Sequence, residues 1–403
     1  MGVVAYFTAE IGLWSELHTY SGGLGVLAGD HVKSAADDEL PLVGVTLLYR
    51  RGYGRQHLDR NGIQTETYRD LDPAQHLKDT GVILSLPLDG TELLARVWKA
   101  EITGVTGHTV PVFFLDTFHP ENSERHLNLG LTLYGGDDWV RIRQEYLLGV
   151  GGVRLLEQMG YDVDGLHLNE GHCTFALLEM LGKGWSREEL AKRVLFTTHT
   201  PVPAGHDRFQ WGDVEEVLGE LMPKDAKQLV IDAGDPENGE RISMSHLAVA
   251  LSGPVNAVSN LNAWVASSMF ADHHIAPITN GVHHITWTSP AMSELFDTHL
   301  EGWKEDPTTL AHAGRIPTQD LAQSRDKARK VLRDLVKVGT GVALESDRLT
   351  IGFARRFATY KRANLVFSDL ERLKQIGSGK IQFVFSGKAP VSYTHLTLPT
   401  TGI

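Results

Sequence analysis

Short apolar runs alternate along the chain with longer segments in which apolar residues recur at helical spacing. "GLHLNE" (165–170) precedes "GHCTFALLEML", "VNAVSN" precedes "LNAWVASSMF", and "RLTIGFA" (348–354) precedes a segment that reaches position 377. The short runs predict strands, and the i, i+3, i+4 recurrence predicts amphipathic helices. This alternation is typical of parallel strands joined by crossover helices, so we predict an α/β fold.

Two regions depart from this pattern and suggest domain boundaries. Residues 42–118 carry the turn signals "DRNG" and "PLDG", which favour an antiparallel excursion. From about position 290 the pattern is helical and charged, with "DLAQSRDKARKVLRDLVK" as its clearest amphipathic piece. We therefore divide the chain into an N-terminal α/β domain, a helical connection, the start of a second α/β domain and a tail, at 1–290, 291–345, 346–389 and 390–403.

A glycine-rich stretch stands where a helix is predicted to begin. "YSGGLGVLAGDHVKSA" places Gly22, Gly23 and Gly25 just before an apolar helical pattern. Glycine lets a ligand approach the main chain, and the first amides of a helix have no acceptor within the helix. The pattern fits a site for an anion or a polar ligand, and it also fits a tight turn.

Composition narrows the class of protein. The 403 residues are 22% charged and 42% hydrophobic, as in ordinary globular proteins, and the formal net charge is −12. This balance argues against a nucleic-acid partner or an anionic membrane surface. Cys173 is the single cysteine and no signal-like segment follows Met1, so we expect no internal disulfide and a cytoplasmic location. The histidine doublets lack metal-ligand spacing, and we predict no metal site.

Polar side chains follow several predicted strands. Asn169 and His172 follow "LHL", His199 follows "VLFTT", and Asn280 follows "PIT". Ligands of open parallel sheets bind beyond the carboxyl ends of the strands. A lone histidine there is more often a structural hydrogen-bonding group, but His199 lies in "THTPVPAGH", where proline and glycine fix the direction of the loop.

A basic segment gives the strongest local signal. "GFARRFATYKRA" (352–363) places Arg355, Arg356 and Lys361 at a strand-to-helix turn. Guanidinium and ammonium groups bind phosphate oxygens, whereas the alternative is a solvated basic face. Because apolar strands flank the segment, we predict a phosphate site at the edge of a cleft.

Eight segments, in order, resemble the α-glucan (glycogen, starch, maltodextrin) phosphorylases, in particular their shorter bacterial and archaeal type. The resemblance spans residues 4–389 and rests on these segments: "AYFTAEIGL", "YSGGLGVLAGDHVKSA", "LVGVTLLYRRGYGRQ", "LYGGDDWVRIRQEY", "LHLNEGHCTFALLE", "LFTTHTPVPAGHDRF", "TNGVHHITW" and "GFARRFATYKRA". It implies the GT-B arrangement, in which two Rossmann-like domains face a cleft. It also implies reversible phosphorolysis of α-1,4-glucan to glucose 1-phosphate, with pyridoxal 5'-phosphate as cofactor.

The resemblance assigns roles to matched residues. His199 would contact the reacting glucosyl unit, Arg356 and Lys361 would hold the substrate phosphate, and Arg355 would hold the cofactor phosphate. Asp137 would belong to a mobile loop that gates the cleft. The residues implied to line the glucan site are Glu10, Gly23, Leu24, Gly25, Asp137, His172 and Tyr360.

The sequence also departs from the family. The lysine that binds the cofactor lies in a later glycine- and serine-rich segment, which is absent here, and "PVSYTHLTLPTTGI" (390–403) matches nothing in the family. We expect a truncated gene with a foreign tail and an incomplete second domain. We therefore predict that the chain alone binds no pyridoxal phosphate covalently and performs no phosphorolysis.

Two other functions fit the same residues. A nucleotide-sugar-dependent glucan synthase shares the fold and a Gly-Gly-Leu loop, and a non-catalytic glucan-binding module could be made from the N-terminal domain. Members of the family are often dimers, so a homodimer is a further expectation.

Overall fold

A computed structural model describes residues 2–59, 61, 63–200, 206–270, 273–357 and 361–388. The chain forms two compact units. Unit 1 comprises Met1–Tyr53 and Arg69–His283, and unit 2 comprises Gly54–Tyr68 and His284–Ile403.

Strands and helices alternate through most of the chain. The strands are β1 (Val3–Thr8), β2 (Leu42–Leu47), β3 (Arg55–Leu58), β4 (Gln64–Thr67), β5 (Lys78–Leu88), β6 (Thr91–Thr103), β7 (Thr109–Asp116), β8 (Val163–Asn169), β9 (Val194–Thr198), β10 (Arg208–Phe209), β11 (Ile242–Ser243), β12 (Val255–Ala257), β13 (Ile275–Pro277), β14 (Leu349–Ala354) and β15 (Ile381–Ser386). The α-helices are α1 (Gly23–Asp37), α2 (Glu124–Asn128), α3 (Asp138–Tyr146), α4 (Gly152–Gln158), α5 (Phe175–Gly182), α6 (Arg187–Arg193), α7 (Trp211–Leu218), α8 (Ala226–Asp232), α9 (Met244–Leu251), α10 (Asn260–Met269), α11 (His284–Trp287), α12 (Pro290–His299), α13 (Thr318–Thr340) and α14 (Leu370–Gly377).

Unit 1 is built on one large mixed sheet with the order β13-β12-β9-β8-β1-β2-β7-β6-β5. The strands from β13 to β7 are parallel, and β6 and β5 continue the sheet antiparallel. Asp89 and Gly90 join β5 to β6 with positive φ angles of 54° and 73°, as a tight hairpin requires. The predicted α/β class and the antiparallel excursion are confirmed.

The central strand β1 is buried on both faces, as expected for a parallel strand between helical layers. Ala5 and Phe7 point into one apolar core, which includes α5 and the π-helical turn Leu147–Gly151. Tyr6 points into the second core, where α1 packs. The carboxyl end of β1 is thereby held between the two layers.

Glycines let α1 pack directly against the loop that follows β1. The Gly12 amide donates to the Gly25 carbonyl at 2.7 Å. A Cβ on Gly29 would lie 2.1 Å from the Gly12 carbonyl oxygen, closer than atoms can approach. This contact fixes the N-terminus of α1 beside the end of β1.

Unit 2 contains the parallel pair β14–β15, the hairpin β3–β4 and the packed helices α12 and α13. We predicted one helix from about residue 360 to Gly377, and this prediction is wrong for the described residues. A 3-10 turn at Leu365–Phe367 comes first, and α14 begins only at Leu370. The Asp369 side chain accepts a hydrogen bond from the Arg372 amide at 2.9 Å, so Asp369 caps a new helix.

Within the described ranges, no helix is long and apolar enough to cross a membrane. The same ranges contain no cluster of three or more His, Cys, Asp or Glu side chains suited to a metal ion.

Candidate active site

The carboxyl ends of three neighbouring strands, β1, β8 and β9, bring together the polar residues of unit 1. The strands run parallel, with Thr8 opposite Asn169 and Asn169 opposite Thr197. The residues that follow them therefore lie at one edge of the sheet, as the pattern of strand ends predicted.

Glu10 follows β1 and is 2% exposed. One of its carboxyl oxygens accepts the Ser21 amide at 2.5 Å, and the other accepts the Tyr134 hydroxyl at 3.0 Å. Burial raises the pKa of Glu10, although the amides of Ser21 and Gly22 and the Tyr134 hydroxyl favour its charged form. Glu10 thus ties the glycine-rich stretch to the segment before α3.

The glycines differ in what surrounds them. A Cβ on Gly25 would lie 2.5 Å from the Tyr20 Cβ and 3.0 Å from Glu10 Oε2, so Gly25 is required for packing. A Cβ on Gly23 would meet nothing within 4 Å. Gly23 is the first residue of α1, and no side chain caps the helix. The start of α1 therefore has an open side-chain position at Gly23 and amides that lack partners within the helix.

Glu170 shapes the loop that carries His199. Its Oε1 accepts the amides of His199 at 2.5 Å and Thr200 at 2.8 Å, and Glu170 itself has a φ of 75°. Burial acts to raise the pKa of Glu170, but the imidazoles of His199 and His206 and the His199 amide outweigh it, so the pKa is lowered. A charged carboxylate therefore holds the His199 loop by its backbone.

The ring of His199 is held in one orientation. Its Nε2 lies 2.6 Å from Asn169 Oδ1, while Asn169 Nδ2 donates to Thr8 Oγ1 at 3.0 Å. Because the Asn169 oxygen accepts, Nε2 carries the proton and Nδ1 has a free lone pair. Burial lowers the pKa of His199, which keeps the ring neutral near pH 7. The His199 carbonyl accepts from Asn262 Nδ2 at 3.3 Å.

His172 lies in a small polar pocket next to Glu10. Its Nε2 is 3.3 Å from Asp207 Oδ2, and its ring centroid is 5.9 Å from that of Tyr134. Arg141 donates to Asp207 at 2.5 Å. The pocket is lined by Ala9, Leu47, Tyr49, Tyr134, Arg141, Gln144, Glu145, Leu148 and His172.

Asp137 caps a helix in this structure. Its side chain accepts the Val140 amide at 3.1 Å, which satisfies the start of α3. Its implied role in a gating loop stays a prediction.

The predicted phosphate ligands lie in unit 2. Arg355 and Arg356 are exposed and directly follow β14, and the Arg355 amide donates to the Ser386 carbonyl at 3.1 Å. Lys361 lines an apolar pocket together with Arg362 and the ring of Phe353. Tyr360 lies outside the described residues.

Three residues of the site were not predicted. Tyr134 binds Glu10, while the buried acid Glu145 and the partly buried acid Asp207 lie beside His172. All three lie inside segments quoted for the resemblance, but a charged residue in a helical or loop pattern does not reveal from sequence that it is buried.

The sequence of this chain is similar to several known phosphorylases. Maltodextrin phosphorylase of Thermococcus litoralis is 34% identical over 431 residues, covering 96% of this chain and 51% of the relative. Glycogen phosphorylase of Mycobacterium tuberculosis is 33% identical over 447 residues, covering 96% and 51%. Glycogen phosphorylase of Aquifex aeolicus is 32% identical over 434 residues, covering 96% and 62%.

The chain belongs to the α-glucan phosphorylase family. The resemblance found in the sequence is thereby confirmed. The chain spans about half the length of the first phosphorylase relatives it matches. No protein-family model matches it.

Proposed function

We propose that this protein acts in α-1,4-glucan phosphorolysis, in which inorganic phosphate releases glucose 1-phosphate from the non-reducing end of glycogen, starch or maltodextrin, and that the chain alone is inactive. The observation that carries the proposal is the match to phosphorylases over 96% of the chain. The strand-end site of unit 1 supports it, because its ordered polar groups suit a hydroxylated ligand.

In this proposal, unit 1 binds the glucosyl unit. The neutral ring of His199, fixed by Asn169, would present the lone pair of Nδ1 to a sugar hydroxyl. The backbone carbonyl of His199 would lie beside the reacting carbon. The amides at Gly23, Leu24 and Gly25 supply donors from the start of α1, where no side chain competes for them. Preorganised donors of this kind stabilise developing negative charge, and removing one costs about 3 kcal/mol in other enzymes.

Unit 2 supplies cations to phosphate. Arg356 and Lys361 would bind the substrate phosphate, and Arg355 the cofactor phosphate. Guanidinium groups at the carboxyl end of β14 have the geometry for two phosphate oxygens each. We also propose that the fold is of the GT-B type, that the protein is cytoplasmic and that it forms a homodimer.

The pocket of unit 2 combines aromatic and cationic side chains, as a site for pyridoxal 5'-phosphate would need. Phe353, Phe383 and Phe385 form an aromatic wall beside Lys361 and Arg362, which suits a flat ring attached to a phosphate. When bound, the cofactor supplies a phosphate group that exchanges a proton with the substrate phosphate. The absence of a covalent bond to lysine stays a prediction, and an imine absorbance of the chain mixed with pyridoxal phosphate would contradict it.

A chimera tests the proposed function. The matched part of this chain would replace the matching half of the Thermococcus litoralis enzyme, and glucose 1-phosphate would be measured with maltoheptaose and phosphate. We expect release that needs no nucleotide sugar and that falls at least a hundredfold in the His199→Ala chimera. A folded chimera that only transfers glucose from a nucleotide sugar would favour the synthase. A folded chimera that binds maltoheptaose without turnover would favour the glucan-binding module.

A further inference from the structure

The pocket beside His172 contains an acid that the proposed function does not use. Glu145 lies in the last turn of α3 and is 4% exposed. Neither of its carboxyl oxygens has a hydrogen-bond partner among the described residues. A buried carboxylate without a partner is costly, so such a group normally gains a partner or a proton.

The neighbour of Glu145 is a second acid. Asp207 is close enough to Glu145 for a side-chain hydrogen bond, provided that one of the two carboxyls carries a proton. Two ionised carboxylates both accept and cannot bond to each other, so Glu145 has no partner while both acids are charged. A single proton turns this contact into a hydrogen bond.

Asp207 is the member of the pair that has a cationic partner. Arg141 donates to it at 2.5 Å, and His172 Nε2 lies 3.3 Å away. Glu145 has no such cation of its own. One carboxylate facing one guanidinium balances the charge of the pocket, whereas two would leave a buried negative charge uncompensated.

We propose that Glu145 is an uncharged carboxylic acid that donates a hydrogen bond to Asp207 and so positions Asp207 for Arg141 and His172. Burial and the negative charge of Asp207 raise the pKa of Glu145 well above its usual value, which agrees with this geometry. The other titratable groups that face Glu145 come from several elements: Tyr49, Arg141 and Cys173. None of these places a second cation on the Glu145 carboxyl.

The proposal gives His172 a defined orientation. With Asp207 ionised and held from two sides, His172 donates through Nε2, and Nδ1 is left as a buried acceptor without a partner among the described residues. Glu145 acts through Asp207 and is therefore a positioning residue. The inference goes beyond the proposed function, and its test requires no turnover.

The test is a carbon-13 spectrum of the full chain with labelled glutamate carboxyls. The signal lost in Glu145→Gln identifies Glu145, and we expect it at the position of a protonated acid at neutral pH. A signal at the carboxylate position, or one that titrates across neutral pH, overturns the proposal. The chemical shift is read from the unaltered protein, and Glu145→Gln is needed only to assign the signal.

Variants give a second readout through the ring nitrogens of His172. Glu145→Gln keeps a neutral donor, so we expect an unchanged denaturation midpoint and unchanged nitrogen-15 shifts of His172. Asp207→Asn replaces the charged acceptor by a neutral amide, which can also donate, so we expect the His172 shifts to move toward a mixture of tautomers. Exposed Glu121→Gln serves as the matched control. If Glu145→Gln alters His172 as much as Asp207→Asn does, Glu145 is not a neutral acid and the proposal fails.

Discussion

Replacing His167 should change how the stability of the protein depends on pH. His167 Nε2 donates to Thr197 Oγ1 at 2.8 Å, and its ring packs 4.9 Å from that of Tyr6 and 5.2 Å from that of His31. Burial, together with the imidazoles of His31 and His199, lowers the pKa of His167 to about 3. The perturbation is His167→Gln, which removes the titrating group and keeps a hydrogen-bond donor.

The magnitude follows from proton binding in the two states. Below pH 6.5, the pKa of His167 in the unfolded chain, the unfolded chain binds a proton at His167 and the folded chain does not. The free energy of unfolding therefore falls as the pH decreases toward about 3. Each pH unit between these two pKa values lowers the free energy of unfolding by about 1.4 kcal/mol, so His167 lowers it by about 2 kcal/mol at about pH 5. The loss at about pH 5 would be nearly the same for any pKa of His167 below about 4 in the folded chain.

Urea denaturation at about pH 7.5 and about pH 5 measures this effect. At the higher pH we expect His167→Gln to be less stable than wild type by about 1 kcal/mol, because the side-chain amide keeps a donor for Thr197 but packs less well than the imidazole against Tyr6 and His31. At the lower pH the difference should shift by about 2 kcal/mol in favour of the variant. A constant difference between His167→Gln and wild type at both pH values would refute the reasoning.

Four further substitutions test the packing that positions the site. Gly29→Ala should lower the free energy of unfolding by about 3 kcal/mol, because the new Cβ meets the backbone of Gly12. Gly23→Ala should change this free energy by no more than about 1 kcal/mol, because its Cβ meets open space. Similar denaturation curves for the two variants would contradict this. Glu170→Gln should cost about 2 kcal/mol, because two amides lose a charged acceptor, and unchanged amide exchange in the His199 loop would count against it. Asp116→Asn should cost about 3 kcal/mol, because Asp116 is fully buried against Arg50, and a wild-type melting temperature would rule that out.

The sequence predicted the parts of the fold that depend on local pattern. β8, β9 and α5 lie where apolar runs and helical spacing placed them, because both faces of these elements are buried and the pattern is strong. The break before α14 was missed, since the cap at Asp369 overrides a continuous amphipathic pattern. The order of the strands could not be predicted, because it depends on pairings between distant residues such as Val4 and Leu42.

Residues of the candidate site could be predicted where a polar side chain directly follows a predicted strand. His199 was found in this way, whereas Glu10 was implied only by the family resemblance; both are embedded in hydrogen bonds. Tyr134 and Glu145 were missed because their roles depend on burial and on partners far along the chain. Whether Arg356 and Lys361 bind phosphate stays a prediction.

The central claim is that the strand-end site of unit 1 binds the end of an α-1,4-glucan. Amide and histidine-ring spectra of the full chain titrated with maltoheptaose test it directly. We predict saturable shifts at His199 and at the amides of Gly23, Leu24 and Gly25, and no shifts with the unrelated β-linked cellohexaose. Shifts confined to other residues, or none with maltoheptaose at millimolar concentration, would contradict the account.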